Sequence, residues 1–523
     1  MRSFEASGLK SIGARGSKRL RGGRVEQLRK SVGSEGSAKI GGRVLAILRR
    51  LEPVHRRRAV RLLGAAICLH MLLTACVFFS GRLGLLPSFF EVNGIAVASD
   101  GFVYHPEAIA LVEMLGSEGF NAWLDAPSPF HLKLYSLSYA LLHRLSGFNI
   151  LSAEPLNLFY YLAIIWLVFR LGREAFDRRV GFLAAVAVAL WPSFLLHTTQ
   201  LLKDPLFIAS MLSLMLVLAG WLRREHSWRK GLLLGAAGGG ASALLWLVRS
   251  EMWEVVLAII SLGVGLLVVR QLLERRMLRG NAAGACVLVV LALSVPRVMK
   301  TYEPFGAYRA TDTGGVTQVE ETKNVNERDA ASGLEQIRAS EASAAGGQTL
   351  WLRLWRKPQA LAARIGGIRR KFIVEYPSAT SNIDTEVRFQ DLGGFLRYVP
   401  RAVVIGFFAP FPDMWFVKKA QVGLAGRMFS GLETIAIYAC EALAVFGLWR
   451  RRRHLPAWLL VLAAAVGVAS LGIVVVNIGT LYRLRYVFWM LVVILGVDGA
   501  MQLRRRGSAT NAADDLPRGA REL

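Results

Sequence analysis

The stretch that decides the fold reads PLFIASMLSLMLVLAGWL over residues 205–222, then RREHSWRK over 223–230, then GLLLGAAGGGASALLWLV over 231–248. The two outer runs carry no charged side chain, and each approaches the ~20 residues that a helix needs to cross a bilayer. The connection between them holds four basic residues, which is typical of cytoplasmic loops. The stretch therefore predicts two transmembrane helices joined on the cytoplasmic side, and its glycines favour close helix packing.

Similar apolar runs recur along the chain and predict ten transmembrane helices in all. They lie near residues 60–80, 156–169, 180–196, 205–222, 231–248, 253–269, 281–296, 431–449, 457–476 and 486–503. With the N-terminus inside, the cytoplasmic connections carry 19 Lys and Arg residues, whereas the short outer connections carry 4. This asymmetry predicts that both termini are cytoplasmic.

The overall composition agrees with a membrane protein. Of the 523 residues, 54% are hydrophobic and 19% are charged, against about 25% charged in soluble proteins. The net charge of +27 is concentrated in the N-terminal tail and in short clusters between apolar runs, and no nucleic-acid-binding fold accompanies it. All four cysteines lie in apolar runs, which argues against a disulfide framework or a zinc site. We therefore predict no nucleic-acid partner.

The spans divide the chain into five regions. These are a basic, disordered cytoplasmic tail (1–58), an N-terminal transmembrane module (59–296) with an extracytoplasmic loop (81–155), a second extracytoplasmic loop region (297–430), C-terminal transmembrane helices (431–503) and a cytoplasmic tail (504–523). Within the second loop region, residues 306–349 are predicted to be flexible and 351–400 to fold against the membrane. The runs 132–151 and 402–417 are predicted to be helices or turns that lie at the outer surface or re-enter the membrane.

Several polar residues at the outer ends of spans could carry chemistry. After the first span, Asp100 is followed by Tyr104 and His105, a carboxylate and hydrogen-bonding groups near the membrane surface. Alternatively, Asp100 and Gly101 form the tip of a solvated turn. At the start of the fourth span, Asp204 precedes Pro205, which also fits a helix start with Asp204 as N-cap.

Basic residues occur at the same outer ends, where the charge rule disfavours them. They are Lys203, Arg249 and, before the last span, Arg483 and Arg485; His197 and Glu251 are their polar neighbours. Arginine offers a planar, permanently charged fork that matches phosphate oxygens, so these side chains predict binding of an anionic lipid phosphate. The alternatives are an ion pair between Lys203 and Asp204, and arginines that reach from the apolar helices to the interface.

The order of these features resembles the GT-C superfamily of membrane glycosyltransferases, including its protein mannosyltransferase and aminoarabinose transferase branches. The resemblance covers roughly residues 60–255 and 457–503. It rests on Asp100-x-x-x-Tyr104-x-x-x-Ala108, a surface helix from Pro129 to Gly147, Asn157, Arg173-x-x-Phe176-Asp177-Arg178-Arg179, Pro192, Asp204, Arg249-Ser250-Glu251 and Arg485-Tyr486. It implies an all-α polytopic fold, a GT-C-like bundle of about ten transmembrane helices with two large extracytoplasmic loops.

The resemblance also implies a function: a membrane glycosyltransferase that moves a hexose or pentose from a polyprenyl-phosphate donor. The acceptor would be a glycan, lipid or protein on the extracytoplasmic face of a bacterial inner membrane. Asp100 is then the expected catalytic base and Asp204 the second catalytic acid residue. Arg249, Arg485, Lys203 and Arg483 would bind the donor phosphate, and Tyr104, His105, His197 and Glu251 would bind substrate.

The resemblance is incomplete, and alternatives remain. Many members carry paired acids after the first span, whereas Ser99 and Gly101 flank Asp100 here, so we predict no cofactor and leave a divalent metal as the alternative. A polysaccharide polymerase or ligase would share the outer arginines without depending on Asp100. A transporter or flippase of lipid-linked saccharides would need polar residues through the middle of the membrane, and few are present.

Overall fold

The computed structural model describes residues 53–87, 89–96, 100–302, 359, 362–370, 372–373, 381–389, 391–416 and 423–514. These residues are mainly helical, and the only extended pairings among them are two isolated bridges, Phe90–Ala96 and Asn382–Asn477. The predicted all-α class is confirmed. Contacts divide the chain into two units, Met1–Leu69 and His70–Leu523, and the side-chain contacts given below lie in the second.

Sixteen α-helices are numbered here in chain order. They are α1 (Pro53–Arg82), α2 (Asp100–Ser117), α3 (Phe120–Asp125), α4 (Phe130–Ser146), α5 (Ile150–Ala175), α6 (Arg178–Ala189), α7 (Pro192–Thr198), α8 (Asp204–Arg223), α9 (Trp228–Val248), α10 (Trp253–Leu273), α11 (Arg279–Val298), α12 (Leu392–Phe408), α13 (Gly423–Arg450), α14 (Leu455–Val474), α15 (Ile478–Leu484) and α16 (Tyr486–Asp514).

Nine helices in the described part of the chain are long and apolar enough to cross a membrane. A tenth crossing is obtained if α6 and α7, which meet at a bend of 68°, count as one broken span. The bend falls just before Pro192, whose ring has no backbone N–H to continue the preceding helix but fits the first turn of a new one. All ten predicted positions therefore correspond to an observed helix or helix pair, and the chain is a multi-pass membrane protein.

Glycines let α9 and α11 approach backbone to backbone. A Cβ atom added at Gly231 would lie 1.8 Å from the carbonyl oxygen of Gly280, and one added at Gly235 would lie 2.3 Å from that of Gly284. Small residues spaced four apart on both helices permit this approach, which maximises van der Waals contact where apolar burial cannot drive association. The close packing expected near Gly238 and Gly239 is also present, against Leu288 and Leu291 of α11.

Most of the first ambiguous run and the start of the second lie in helices that do not qualify as spans. Residues 132–151 contribute α4 and the start of α5, and residues 402–417 contribute the end of α12 and a short 3₁₀ turn, Pro412–Met414. α12 packs on the last turns of α14, where a Cβ added at Gly472 would lie 2.0 Å from the Ala402 carbonyl oxygen. The segment 306–349, predicted to be flexible, lies outside the described residues.

Candidate active site

Four helix ends bring together the charged residues that the sequence places far apart. Asp100 lies in the first turn of α2 and Asp204 in the first turn of α8, Arg249 directly follows α9, and Arg483 lies in α15. Helix α9 ends at Val248 because Arg249 leaves the helical conformation, and residues 250–252 make a 3₁₀ turn before α10 begins. This tight reversal holds the Arg249 side chain at the helix ends.

The guanidinium of Arg483 joins the two predicted acids. Its Nη2 donates a hydrogen bond to Oδ2 of Asp100 at 2.7 Å, and its Nε lies 3.0 Å from Oδ2 of Asp204. The two carboxylates, about 100 residues apart in sequence, therefore meet at one cation.

Asp204 is the anchor of the group. Its second oxygen, Oδ1, accepts a hydrogen bond from Nη2 of Arg249, and both side chains are almost fully buried, at 7% and 5% exposed. Burial, the largest single effect, would lower the pKa of the Arg249 guanidinium, but the charges of Asp204 and Glu251 together outweigh it and the pKa is raised. The pair is therefore charged in the folded protein.

Glu251 and Lys203 form the more accessible edge of the same group. The Glu251 carboxylate lies 3.6 Å from Nη1 of Arg249 and 3.7 Å from Nζ of Lys203, and it is 42% exposed. Three cations thus face three carboxylates: Lys203, Arg249 and Arg483 against Asp100, Asp204 and Glu251. We call these six residues the charge cluster.

Two alternatives considered for the acids are wrong in the structure. Asp100 opens a helix and binds Arg483, so it is not the tip of a solvated turn. Asp204 does not serve as the N-cap of α8: Lys203 occupies that position, Pro205 lies in the first turn as expected, and the Asp204 carboxylate binds arginines instead. The ion pair of Lys203 is made with Glu251, not with its neighbour Asp204.

Arg485, which the sequence grouped with the phosphate-binding arginines, makes its contacts elsewhere. Its Nη1 donates to the carbonyl oxygens of Gly406, Phe407 and Ala409, at 3.3, 3.3 and 2.5 Å. These are the last carbonyls of α12 and the residue after it, and a cation there satisfies groups that the helix leaves unpaired. The structure brings Arg483, and not Arg485, into the charge cluster.

The remaining predicted substrate residues take different positions. Tyr104 is buried next to the cluster, and burial, followed by the charge of Asp100, raises the pKa of its phenol well above the usual value. Nδ1 of His105 is instead paired with the hydroxyl of Tyr139 at 2.8 Å. His197 lies in α7, where Nδ1 donates to the Ser193 carbonyl oxygen at 2.8 Å and the ring packs on Tyr486.

Two residues near these groups were not singled out from the sequence. Glu433 in α13 accepts hydrogen bonds from the Ser193 backbone N–H at 2.8 Å and from the Tyr482 hydroxyl, so it ties α13 to α7 and α15. His131 in α4 is buried, and its ring packs edge-on against Tyr104. The sequence could have pointed to Glu433, because an acidic residue inside an apolar span is a candidate functional residue. For His131, the sequence showed only that the residue belongs to the surface helix.

The cluster does not suit a divalent metal as it is arranged. No group of three or more His, Cys, Asp and Glu side chains within the described residues could hold a metal ion. Oδ2 of Asp100 and both carboxylate oxygens of Asp204 face guanidinium groups. A metal bound by Oδ2 of Asp100 or by Oδ2 of Asp204 would have to displace Arg483.

Comparison with known proteins supports the resemblance noted in the sequence. The family model described as dolichyl-phosphate-mannose-protein mannosyltransferase matches residues 133–299. This segment runs from α4 to the end of α11 and includes Asp204, Arg249 and Glu251. The predicted resemblance to the GT-C glycosyltransferases is confirmed by this match. The search of curated proteins gives no match.

Two solved structures show a weaker likeness. The archaeal oligosaccharyltransferase AglB from Archaeoglobus fulgidus, solved with an inhibitory peptide and a dolichol-phosphate, aligns at 13% identity and TM-score 0.43, over 87% of this chain and 52% of that one. ArnT from Cupriavidus metallidurans, solved with undecaprenyl phosphate, aligns at 13% identity and TM-score 0.31, over 83% and 77%. The chain thus spans about half the length of the oligosaccharyltransferase.

Proposed function

We propose that the chain is a membrane glycosyltransferase that transfers a sugar from a polyprenyl-phosphate donor to a glycan, lipid or protein acceptor. The observation that carries this proposal is the Arg483 guanidinium held between the carboxylates of Asp100 and Asp204. Sugar transfer from a phosphate needs a base for the acceptor hydroxyl and cations for the leaving phosphate. Both kinds of group lie within one set of ion pairs, and the matched family description names a phosphate-linked sugar donor.

Accessibility separates the roles of the two acids. Asp100 is 25% exposed, whereas Asp204 is 7% exposed and contacts two guanidinium groups. We assign Asp100 as the base that takes the proton of the acceptor hydroxyl as its oxygen bonds to the anomeric carbon. The bond from that carbon to the phosphate oxygen breaks, and the electron pair leaves with the phosphate. Asp204 holds Arg249 and Arg483 in position.

The charges of the cluster indicate how the donor activates Asp100. The three cations are already balanced by three carboxylates, so an incoming phosphate competes with a carboxylate for a guanidinium. If Arg483 turns to the phosphate, Asp204 keeps its ion pair with Arg249. Asp100, whose ion-pair partner among the described residues is Arg483, would lose its ion pair. Donor binding would thus free the Asp100 carboxylate to accept the proton of the acceptor hydroxyl. Lys203 and Arg249 would add charge to the phosphate site.

The activity test compares the purified wild-type chain with Asp100→Asn in transfer from undecaprenyl-phosphate-linked sugars. The variant should lose about 10²–10⁴-fold in rate, as expected for loss of a general base, and should bind undecaprenyl phosphate at least as tightly as the wild type, because Asp100 no longer competes for Arg483. Glu386→Gln, an exposed carboxylate remote from the cluster in sequence and on a different segment, is the matched control. Near-normal transfer by Asp100→Asn at equal protein level would remove Asp100 as the base and favour the ligase or transporter alternatives.

We also propose that the charge cluster faces the extracytoplasmic side of a bacterial inner membrane, with both termini cytoplasmic. The support is the distribution of Lys and Arg between the connections. In a background without the native cysteines, a cysteine at Phe120 should react with an impermeant thiol reagent in intact spheroplasts, and one at Arg452 should not. Labelling at position 452 would overturn this orientation.

A further inference from the structure

His131 is the buried titratable side chain next to the charge cluster that the proposed reaction leaves unused. It lies in the first turn of α4 and is 3% exposed. Within the described part of the chain, neither of its ring nitrogens has a hydrogen-bond partner. Buried polar atoms are nearly always paired, since an unpaired one loses its bond to water without replacement. We therefore expect the ring nitrogens of His131 to form hydrogen bonds with a bound substrate.

The comparison with another buried histidine shows that the arrangement is unusual within this protein. His70, also fully buried, has both ring nitrogens paired, with Glu154 at 2.8 Å and with Thr198 at 3.1 Å. The ring of His131 packs edge-on with that of Tyr104, with the ring centroids 4.8 Å apart. The fold thus supports the ring of His131 by packing and leaves its polar atoms available.

The charge state of His131 limits what it can bind. Burial, followed by the charges of Lys203 and Arg249, holds the pKa of the imidazole well below its usual value. A neutral imidazole offers one N–H donor and one acceptor nitrogen. A hydroxyl group also donates one hydrogen bond and accepts others, so the two match. A phosphate oxygen matches less well because it only accepts, and the cations of the cluster already suit it.

His131 is more deeply buried than the carboxylates at the accessible side of the cluster. Glu251 and Asp100 are the most exposed of the three carboxylates, at 42% and 25%, whereas Arg249 and His131 are at most 5% exposed. A substrate that approaches along Asp100 and Glu251 would contact these exposed side chains before it reaches the buried imidazole.

We propose that His131, held by Tyr104, forms a subsite for a hydroxyl of the sugar carried by the phosphate-linked donor. The subsite rests on the proposed function, because it needs a sugar attached to the phosphate that the cluster binds. It assigns to His131 the recognition of the sugar, and to Lys203, Arg249 and Arg483 the recognition of the phosphate.

The test separates these two contributions by measuring affinity with and without the sugar. Native mass spectrometry of the detergent-solubilised protein gives dissociation constants for undecaprenyl phosphate and for its glucosyl, mannosyl and galactosyl derivatives. For the wild type, at least one derivative should bind about tenfold more tightly than undecaprenyl phosphate, a gain typical of one well-formed buried hydrogen bond. His131→Phe should lose this gain and bind undecaprenyl phosphate as the wild type does.

Two further variants distinguish recognition from a structural role. His131→Asn keeps a donor and an acceptor and should retain part of the gain. His143→Phe makes the same change in the same helix, at a histidine that bonds to the Tyr139 carbonyl oxygen, and should keep all of it. The melting temperature of His131→Phe should not fall, because a phenyl ring keeps the contact with Tyr104 and removes the unpaired nitrogens.

Each contrary result has a distinct meaning. If His131→Phe retains the full gain, or if the wild type gains nothing from any of the three sugars, the subsite is overturned while the proposed function stands. If undecaprenyl phosphate itself does not bind, the proposed function fails, and the subsite fails with it.

Discussion

The two acids of the charge cluster should respond very differently to the same chemical change, Asp to Asn. In Asp204→Asn, the buried Arg249 loses its closest carboxylate and keeps only Glu251 at 3.6 Å, and Arg483 loses one of its two partners. Breaking a buried ion pair in this way costs about 3–5 kcal/mol of folding free energy. This variant should therefore be severely destabilised.

In Asp100→Asn, the loss should be much smaller. Arg483 keeps Asp204, and the new amide oxygen can still accept its hydrogen bond. The partly exposed ion pair becomes a hydrogen bond from the guanidinium to a neutral oxygen, and the charge attraction that is lost contributes about 1 kcal/mol. The two variants should thus differ in stability by roughly 2–4 kcal/mol, although the substitution is the same.

The measurement is unfolding of wild type and variants in one detergent, by heat and by denaturant, alongside sugar transfer. Asp100→Asn should unfold close to wild type and transfer poorly, whereas Asp204→Asn should unfold much earlier. Asp413→Asn, an exposed acid on the Pro412–Met414 turn, is the control and should change neither property. Equal stability of the two variants would refute the argument that Asp204 is the buried anchor and Asp100 the accessible base.

Two further predictions follow from other contacts. Arg485→Lys should lower the melting temperature, because one ammonium group cannot replace the guanidinium across the three carbonyls at the end of α12. The affinity of this variant for undecaprenyl phosphate should stay normal. Normal stability with lost affinity would instead support the donor contact predicted from the sequence. Burial lowers the pKa of His105 to about 4 from its ordinary 6.5. Between these two values the unfolded chain binds a proton at His105 that the folded chain does not bind. The free energy of unfolding is therefore highest above pH 6.5 and decreases as the pH falls toward 4. The melting temperature should therefore fall between pH 7 and pH 5, and less so in His105→Gln; an equal fall in that variant would contradict the assignment.

The membrane fold followed from local chemistry that the sequence displays directly. Residues 205–222 and nine similar runs are long and apolar enough to span a bilayer, and a helix is the structure that satisfies their backbone groups there. The same argument placed Asp100, Asp204 and Arg249 at outer helix ends. It did not show the bend before Pro192 or the glycine contacts between α9 and α11, because those depend on which helix lies alongside which.

Tertiary structure alone decided which side chains meet. Arg483 and Arg485 are two residues apart, and in a helical turn two residues are separated by about 200°, so they point to nearly opposite sides. Because apolar helices flank α15 on both sides in the sequence, the sequence could not indicate which arginine faces the acids. The fold turns Arg483 toward Asp100 and Asp204 and Arg485 toward the end of α12. His131 was equally hidden, since the absence of a partner for a buried side chain depends on every neighbour that packs around it.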